Sequence, residues 1–261
     1  MFDIFRKEKK VILVLGGGSA RGVAHIGVLK VLAREKIQIS RIVGTSMGAL
    51  IGAGYATGIT PQEMEKKAVG VSINKLLDPT IPKMGLLAGN RLQNMIKSLL
   101  DSKKFDDCRI PFAAVTTDIE TGQEVVHQHG DLTKIVRASC SWPGIFNPVE
   151  IDGRLLCDGG IKNSVPTKIA RGLEDGYVIA VDVGFCVKQG KLDNIFQVIL
   201  QSFQIMGEEL NKYQADEGDM VIKVDLGNID QVSFERSEEA IHRGMWAAEA
   251  KIDQIKKDLN L

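Results

Sequence analysis

Charge of one sign does not predominate in this chain. Its 261 residues hold 33 lysines and arginines against 33 aspartates and glutamates, so the formal net charge is zero. A surface without a net field has nothing to draw in nucleic acid, and no nucleic-acid partner is expected. Long hydrophobic runs are missing too. The longest apolar stretch, residues 47–56, is glycine-rich and far short of the ~20 residues that a membrane-spanning helix needs. Residues 1–10 lack the apolar region of a secretory signal. They read as an N-terminal tail, with contact of Phe2, Ile4 and Phe5 to lipid or a partner as the second reading. Cysteine is sparse: Cys108, Cys140, Cys157 and Cys186 show no C-x-x-C pair and no histidine at zinc spacing. They read as buried free thiols in a reducing, cytoplasmic setting, and a metal site is not expected. No repeat or low-complexity tract occurs.

What is present is an ordinary globular composition, 44% hydrophobic and 25% charged, enough for a substantial core in one domain over residues 11–261. Strand and helix patterns alternate. Strands are expected at 11–15, 41–44, 111–117, 123–127, 177–183 and 220–224, with a hairpin at Asp152-Gly153. Helices are expected at 22–36, 47–57, from Pro61, at 90–100 with Asn90 as cap, at 132–139, 167–172, from about 192 and from about 234. Such alternation implies a mostly parallel sheet covered by helices on both faces. Residues 72–89, broken by Pro79, Pro82 and Gly85, are the least regular; a lid over an apolar pocket and an ordinary surface connection are equal readings. The segment 194–206 is apolar around much of its circumference and reads as a buried helix first, a dimer or membrane-contact face second.

Three segments carry chemistry. In Gly44-Thr45-Ser46-Met47-Gly48 a serine stands between glycines, after the apolar Ile42-Val43 and before Ala49-Leu50-Ile51-Gly52-Ala53. Small neighbours let a strand turn sharply into a helix with the hydroxyl at the apex, near the partial positive charge of the helix start. Ser46 is therefore the candidate nucleophile. In Asp158-Gly159-Gly160 a carboxylate sits on a glycine turn that can approach another loop closely. Gly16-Gly17-Gly18-Ser19-Ala20-Arg21-Gly22 follows the first strand. If the first two strands are neighbours, its N–H groups lie beside Ser46 where an oxyanion forms, with Arg21 pinning the loop.

The glycine run does not fit a phosphate loop, because no lysine-serine or lysine-threonine pair follows it. Serine hydrolases usually pair serine with histidine, yet none of the four histidines is well placed. His25 falls within the first helix, and His127 and His129 flank a strand end beside Gly130. His242 follows Asp158 in the serine–acid–histidine order, but inside a charged helical stretch. Asp158 is then the preferred base, although Asp-Gly is also a common plain turn.

Taken together, the three segments resemble the patatin-like phospholipase family, in its bacterial single-domain branch similar to the catalytic domain of neuropathy target esterase. Residues 138–149, Ala-Ser-Cys-Ser-Trp-Pro-Gly-Ile-Phe-Asn-Pro-Val, resemble the segment that precedes the family's aspartate, and Asp158 through Asn163 to Pro166 is similar to its D-G-G-x-x-N-x-x-P pattern. The resemblance implies a three-layer α/β/α sandwich with a mostly parallel central sheet. It implies a Ser46–Asp158 dyad without histidine and an oxyanion loop shaped by Gly16, Gly17 and Gly18, with Arg21, Gly44, Gly48, Gly159 and Gly160 in support. The implied substrates are carboxylic esters of phospholipids, lysophospholipids or glycerides, with no metal and no cofactor. Transient contact with the inner membrane face and a homodimer stay open. Acyl transfer from the same acyl-serine and a non-catalytic regulatory role are the alternatives. A dyad without imidazole also carries the expectation that activity shows no loss near pH 6.5.

Overall fold

The computed structural model describes residues 9–81, 84–185, 187 and 191–261, with the backbone alone at Phe196 and Lys212. Phe2, Ile4, Phe5, Pro82 and Cys186, invoked above, lie outside the described residues. The strands are β1 (Val11–Leu15), β2 (Ile39–Thr45), β3 (Gly85–Leu87), β4 (Phe112–Asp118), β5 (Glu124–His127), β6 (Gly144–Phe146), β7 (Val149–Ile151), β8 (Arg154–Asp158), β9 (Tyr177–Asp182) and β10 (Met220–Lys223). The helices are α1 (Ala24–Arg34), α2 (Met47–Ala56), α3 (Pro61–Ala68), α4 (Asn90–Leu99), α5 (Leu132–Ser139), α6 (Thr167–Leu173), α7 (Ile195–Gln214) and α8 (Ser237–Leu259).

The main sheet runs β10-β9-β1-β2-β4-β8-β7, with β5 also on β4. From β10 to β4 all neighbours are parallel. The pairs β4–β5, β4–β8 and β7–β8 are antiparallel. The parallel half is buried on both faces, as its continuous apolar strands require. In β1, Val11, Leu13 and Leu15 join the cluster that holds Ile26 of α1, Ala49 of α2 and Ile241 of α8. Ile12 and Val14 point the other way, to Ile169 and Ala170 of α6. This alternation, with a side-chain period of two, makes the molecule a sheet between helical layers. The antiparallel edge follows from a tight hairpin: Asp152 (φ 51°) and Gly153 (φ 72°) are both left-handed, as a two-residue hairpin turn demands.

Two local expectations need correction. Asn90 is not the cap of α4; Gly89 holds that position. The Asp78 carboxylate reaches across to accept the amides of Gly89 (2.9 Å) and Arg91 (3.1 Å), so a residue from another loop caps the helix. Helix α7 is not buried all round. Leu200, Gln204 and Asn211 are buried, but Ile195, Val198, Ile205 and Met206 are exposed. No described helix is long and apolar enough to cross a membrane.

Candidate active site

Ser46 sits between β2 and α2 with φ 54° and ψ −125°, a left-handed conformation that a non-glycine residue adopts only when its surroundings impose it. The glycines on either side make that turn possible. A Cβ on Gly48 would lie 2.1 Å from the Leu15 carbonyl oxygen, and one on Gly44 2.6 Å from the Gly48 oxygen. The elbow is locked from behind. The Ser46 amide donates to Ser139 Oγ (2.8 Å), whose hydroxyl donates to the Val115 carbonyl (2.7 Å), and all of this is buried. Thr45 Oγ1 donates to the Asn163 carbonyl (2.9 Å), tying the elbow to the segment after Asp158.

The Ser46 hydroxyl donates to Asp158 Oδ2 at 2.7 Å, and the other carboxyl oxygen accepts the Gly160 amide at 2.7 Å. Asp158 reaches this place because β8 pairs with the end of β4, and because Gly159 lacks a Cβ, which would stand 2.5 Å from the Val115 oxygen. The carboxyl is 1% exposed. Burial pushes its pKa up to about 7, against the downward pull of the Gly160 amide and the Ser46 hydroxyl. Half-buried Cys140 borders the same hydroxyl. Its thiol is pushed well above the usual range by burial and then by the Asp158 charge. Of the other thiols, Cys108 is also half-buried and only Cys157 is buried, so burial of all four is not what the structure shows.

The glycine loop reaches Ser46, but its amides are not all available. Gly16 donates to the Val181 carbonyl (3.1 Å) and Gly17 to the Ser164 carbonyl (2.9 Å). Those two N–H groups hold the loop in place and are spent, which corrects the expectation that the Gly17 amide faces the oxyanion. The Gly18 amide and, at the start of α2, the Met47 amide donate to no acceptor among the described residues. Arg21 is tied to neighbouring loops: its guanidinium donates to the carbonyls of Val183 (2.9 Å), Gly184 (3.1 Å) and Ile229.

No histidine bonds to Ser46 or Asp158. His25 is fully buried under the loop, with Nε2 2.7 Å from the Gly16 oxygen, and burial lowers its pKa to about 4. His127 bonds to Thr116 Oγ1 at 2.9 Å, and His242 lies against Trp246 on α8. Among the described residues no three His, Cys, Asp or Glu side chains gather in a way that could hold a metal ion.

Two cavities are lined in part by Ser46, and Trp142 borders both. One, of about 430 Å³, also touches Gly17, Gly18, Asp158 and Phe203, whose ring stacks on Trp142 at 6.4 Å. The other, of about 660 Å³, is lined by Leu50, Ile73, Leu76, Leu87 and Met95 among others. Within the 72–89 stretch, Ile73, Leu76, Leu77 and Leu87 therefore line an apolar cavity, from a short 3-10 turn (Ile73–Leu76) and from β3, which pairs with β6. Buried Arg137, not singled out from sequence, ties that wall down by donating to the carbonyls of Gly89, Ala88 and Asn147 and to Ser141 Oγ. Ser139 was also missed. Both lie in or beside the 138–149 segment, where polar residues inside an otherwise apolar pattern were the available signal.

A sheet layered between helices, with a serine at a strand–helix elbow bonded directly to a buried aspartate, defines an α/β protein built around a Ser–Asp pair. The chain belongs to the patatin-like phospholipase family, whose model matches residues 13–171. It is 37% identical over 176 residues to an uncharacterised NTE family protein of Mycobacterium tuberculosis, covering 67% of this chain and 49% of that one. It is 39% identical over 183 residues to human patatin-like phospholipase domain-containing protein 6, covering 67% of this chain and 13% of the human protein. The chain thus spans about half the length of the mycobacterial relative and a small part of the human one. In fold it is similar to VipD from Legionella pneumophila, with a TM-score of 0.64 at 15% identity over 95% of this chain and 67% of that one. The type III effector ExoU gives a TM-score of 0.50 at 12% identity, over 95% of this chain and 53% of that one.

Proposed function

We propose that the chain hydrolyses carboxylic esters of lipids through an acyl-enzyme on Ser46, with Asp158 as the base. The observation that carries this reading is the 2.7 Å bond from the Ser46 hydroxyl to a buried carboxylate whose pKa is raised to about 7. An aspartate of ordinary pKa is a feeble base toward an alcohol, whereas one near 7 is matched to neutral operation. As Ser46 Oγ attacks the ester carbonyl carbon, its proton passes to Asp158 Oδ2. The negative charge that develops on the carbonyl oxygen falls to the free amides of Met47 and Gly18, one beyond the nucleophile and one from a neighbouring loop. A single donor of this kind is worth about 3 kcal/mol in serine hydrolases. Collapse breaks the carbon–oxygen bond to the alcohol, which leaves with the proton from Asp158. Water then attacks the acyl-serine, gives a proton back to Asp158, and the acid departs as Oγ is reprotonated.

Family membership supports lipid hydrolase activity, and the apolar cavities beside Ser46 support an acyl substrate. The test is labelling by a fluorophosphonate probe together with release of fatty acid from a panel of phospholipids, lysophospholipids and glycerides. Both are expected of the native chain and lost in Ser46→Ala. Fatty-acid release undiminished in Ser46→Ala would overturn the reading.

A further inference from the structure

The 660 Å³ cavity beside Ser46 has an apolar neighbour across a shared wall. A second apolar cavity of about 500 Å³ lies between α2, α3 and α4, and the two share Met47, Leu50, Met95 and Phe234. On α2 the lining residues of the far cavity are Met47, Leu50, Ile51 and Gly54. That i, i+3, i+4, i+7 spacing is one helix face, so the path follows α2 for about 10 Å from the elbow. Its opposite wall is Met64, Ala68 and Val71. Lys67 closes the outer end. Its stem lines the cavity, while its ammonium group bonds to the α4 carbonyls of Ser98 and Leu99 and to Asp101. A lysine so placed offers methylenes to the interior and keeps its charge outside.

The two cavities that Ser46 borders differ in lining. Asp158, which would return its proton to the departing alcohol, borders only the 430 Å³ cavity with Gly17 and Gly18. That assigns the alcohol portion to the 430 Å³ cavity and the acyl chain to the 660 Å³ one, whose lining is mostly apolar. We infer that the paired cavities form one acyl channel, with a collar at Leu50 and Met95 and a far chamber ending at Lys67, that selects long unbranched acyl chains. This rests on the ester-hydrolase reading above and names the substrate feature it would favour.

The test uses p-nitrophenyl esters from butyrate through octanoate and dodecanoate to palmitate, and a fluorescent polyene fatty acid bound to Ser46→Ala. For the native chain kcat/KM is expected to rise about fourfold per methylene, equivalent to ~0.8 kcal/mol for each buried CH₂, until the far chamber is full. Ala68→Phe and Val71→Phe, each at a half-buried position on the far wall, are expected to lower the palmitate-to-butyrate ratio of kcat/KM at least tenfold. The same changes in Ser46→Ala should weaken fatty-acid binding at least tenfold. An unaltered ratio and unaltered binding in either variant that keeps the native circular dichroism would overturn the channel while leaving ester hydrolysis intact. Fatty acid bound and then lost on filling the chamber, in a chain that cleaves no ester, would support the channel and sink the hydrolase reading. Absence of fatty-acid binding to Ser46→Ala would overturn the channel outright.

Discussion

Asp158 of β8 is paired with Thr116 of β4, and the preceding β4 residue, Val115, is paired with Thr45 of β2. Consecutive positions on one strand thus bring in the two chemical partners from segments more than a hundred residues apart, since Ser46 follows Thr45 directly. Val115 also accepts the Ser139 hydroxyl that holds the Ser46 amide. The geometry of the pair is therefore a property of the sheet register and does not depend on a flexible loop finding its place.

Removing the carboxylate tests that register chemically. Asp158→Asn is expected to lower kcat by roughly four orders of magnitude, the scale of losing one member of a cooperating catalytic set. His242→Ala, on the far helix α8, should leave the rate within twofold. Steady-state rates on a short-chain ester decide it, and the opposite ranking would falsify the dyad.

The raised carboxyl of Asp158 predicts a pH profile different from the one the sequence implies. A dyad without histidine implies no acid-side loss near 6.5, but burial lifts the carboxyl of Asp158, the proposed base, to about 7. It works only when deprotonated, so kcat/KM should fall as pH drops through about 7, with slope one. The limb should persist in His127→Gln and His242→Ala. A limb that vanishes on replacing either histidine would assign it to imidazole instead.

Stability carries the same proton with a definite sign. Asp158 binds a proton more readily folded than unfolded, so it costs stability above pH 7 and relieves that cost as pH falls towards 4. His25 and His127, both lowered to about 4, act the other way, and their share is lost as pH falls from 6.5 to 4. Asp158→Asn removes only the first effect. Its Tm relative to the native chain should be higher at pH 8 than at pH 5, and equal differences at both would refute the linkage.

Ser139 should behave as a positioning residue. Ser139→Ala leaves the buried Ser46 amide and Val115 carbonyl without their shared partner, at a cost of about 1–3 kcal/mol in stability. A tenfold or larger fall in kcat with KM little changed is expected, because the strained elbow relaxes while the cavities stay. A change in KM alone would count against this role.

Gly48→Ala is expected to prevent folding or to lower stability by more than about 3 kcal/mol, since the added methyl would meet strand backbone at 2.1 Å. Gly172→Ala, where nothing lies within 4 Å of the added carbon, serves as the control. Thermal melts of the two separate close packing from a general intolerance of alanine.

Much of the architecture was readable along the chain because it depends on local pattern. Residues 11–15 and 177–181 are continuous apolar runs, and both became buried parallel strands, while the strand expected at 220–224 became the partly buried β10. The helix 132–139 matches α5 to the residue, and Pro61 opens α3 behind a Thr60–Glu63 capping box. The failures were non-local. The first amides of α4 are satisfied by Asp78, brought from another loop, and which face of α7 is covered depended on neighbours that sequence periodicity does not reveal.

The same division runs through the site. Ser46 and its flanking glycines could be proposed from the chain alone, because a tight elbow tolerates few residue types, whereas Asp158 in a common Asp-Gly turn stood out only through the family resemblance. Only the folded molecule decided that the Gly16 and Gly17 amides serve the scaffold, that Ser139 braces the elbow, and that burial raises the Asp158 carboxyl. Hydrogen-bond allocation and desolvation are set by which atoms meet in three dimensions, and residues distant in sequence supply those atoms.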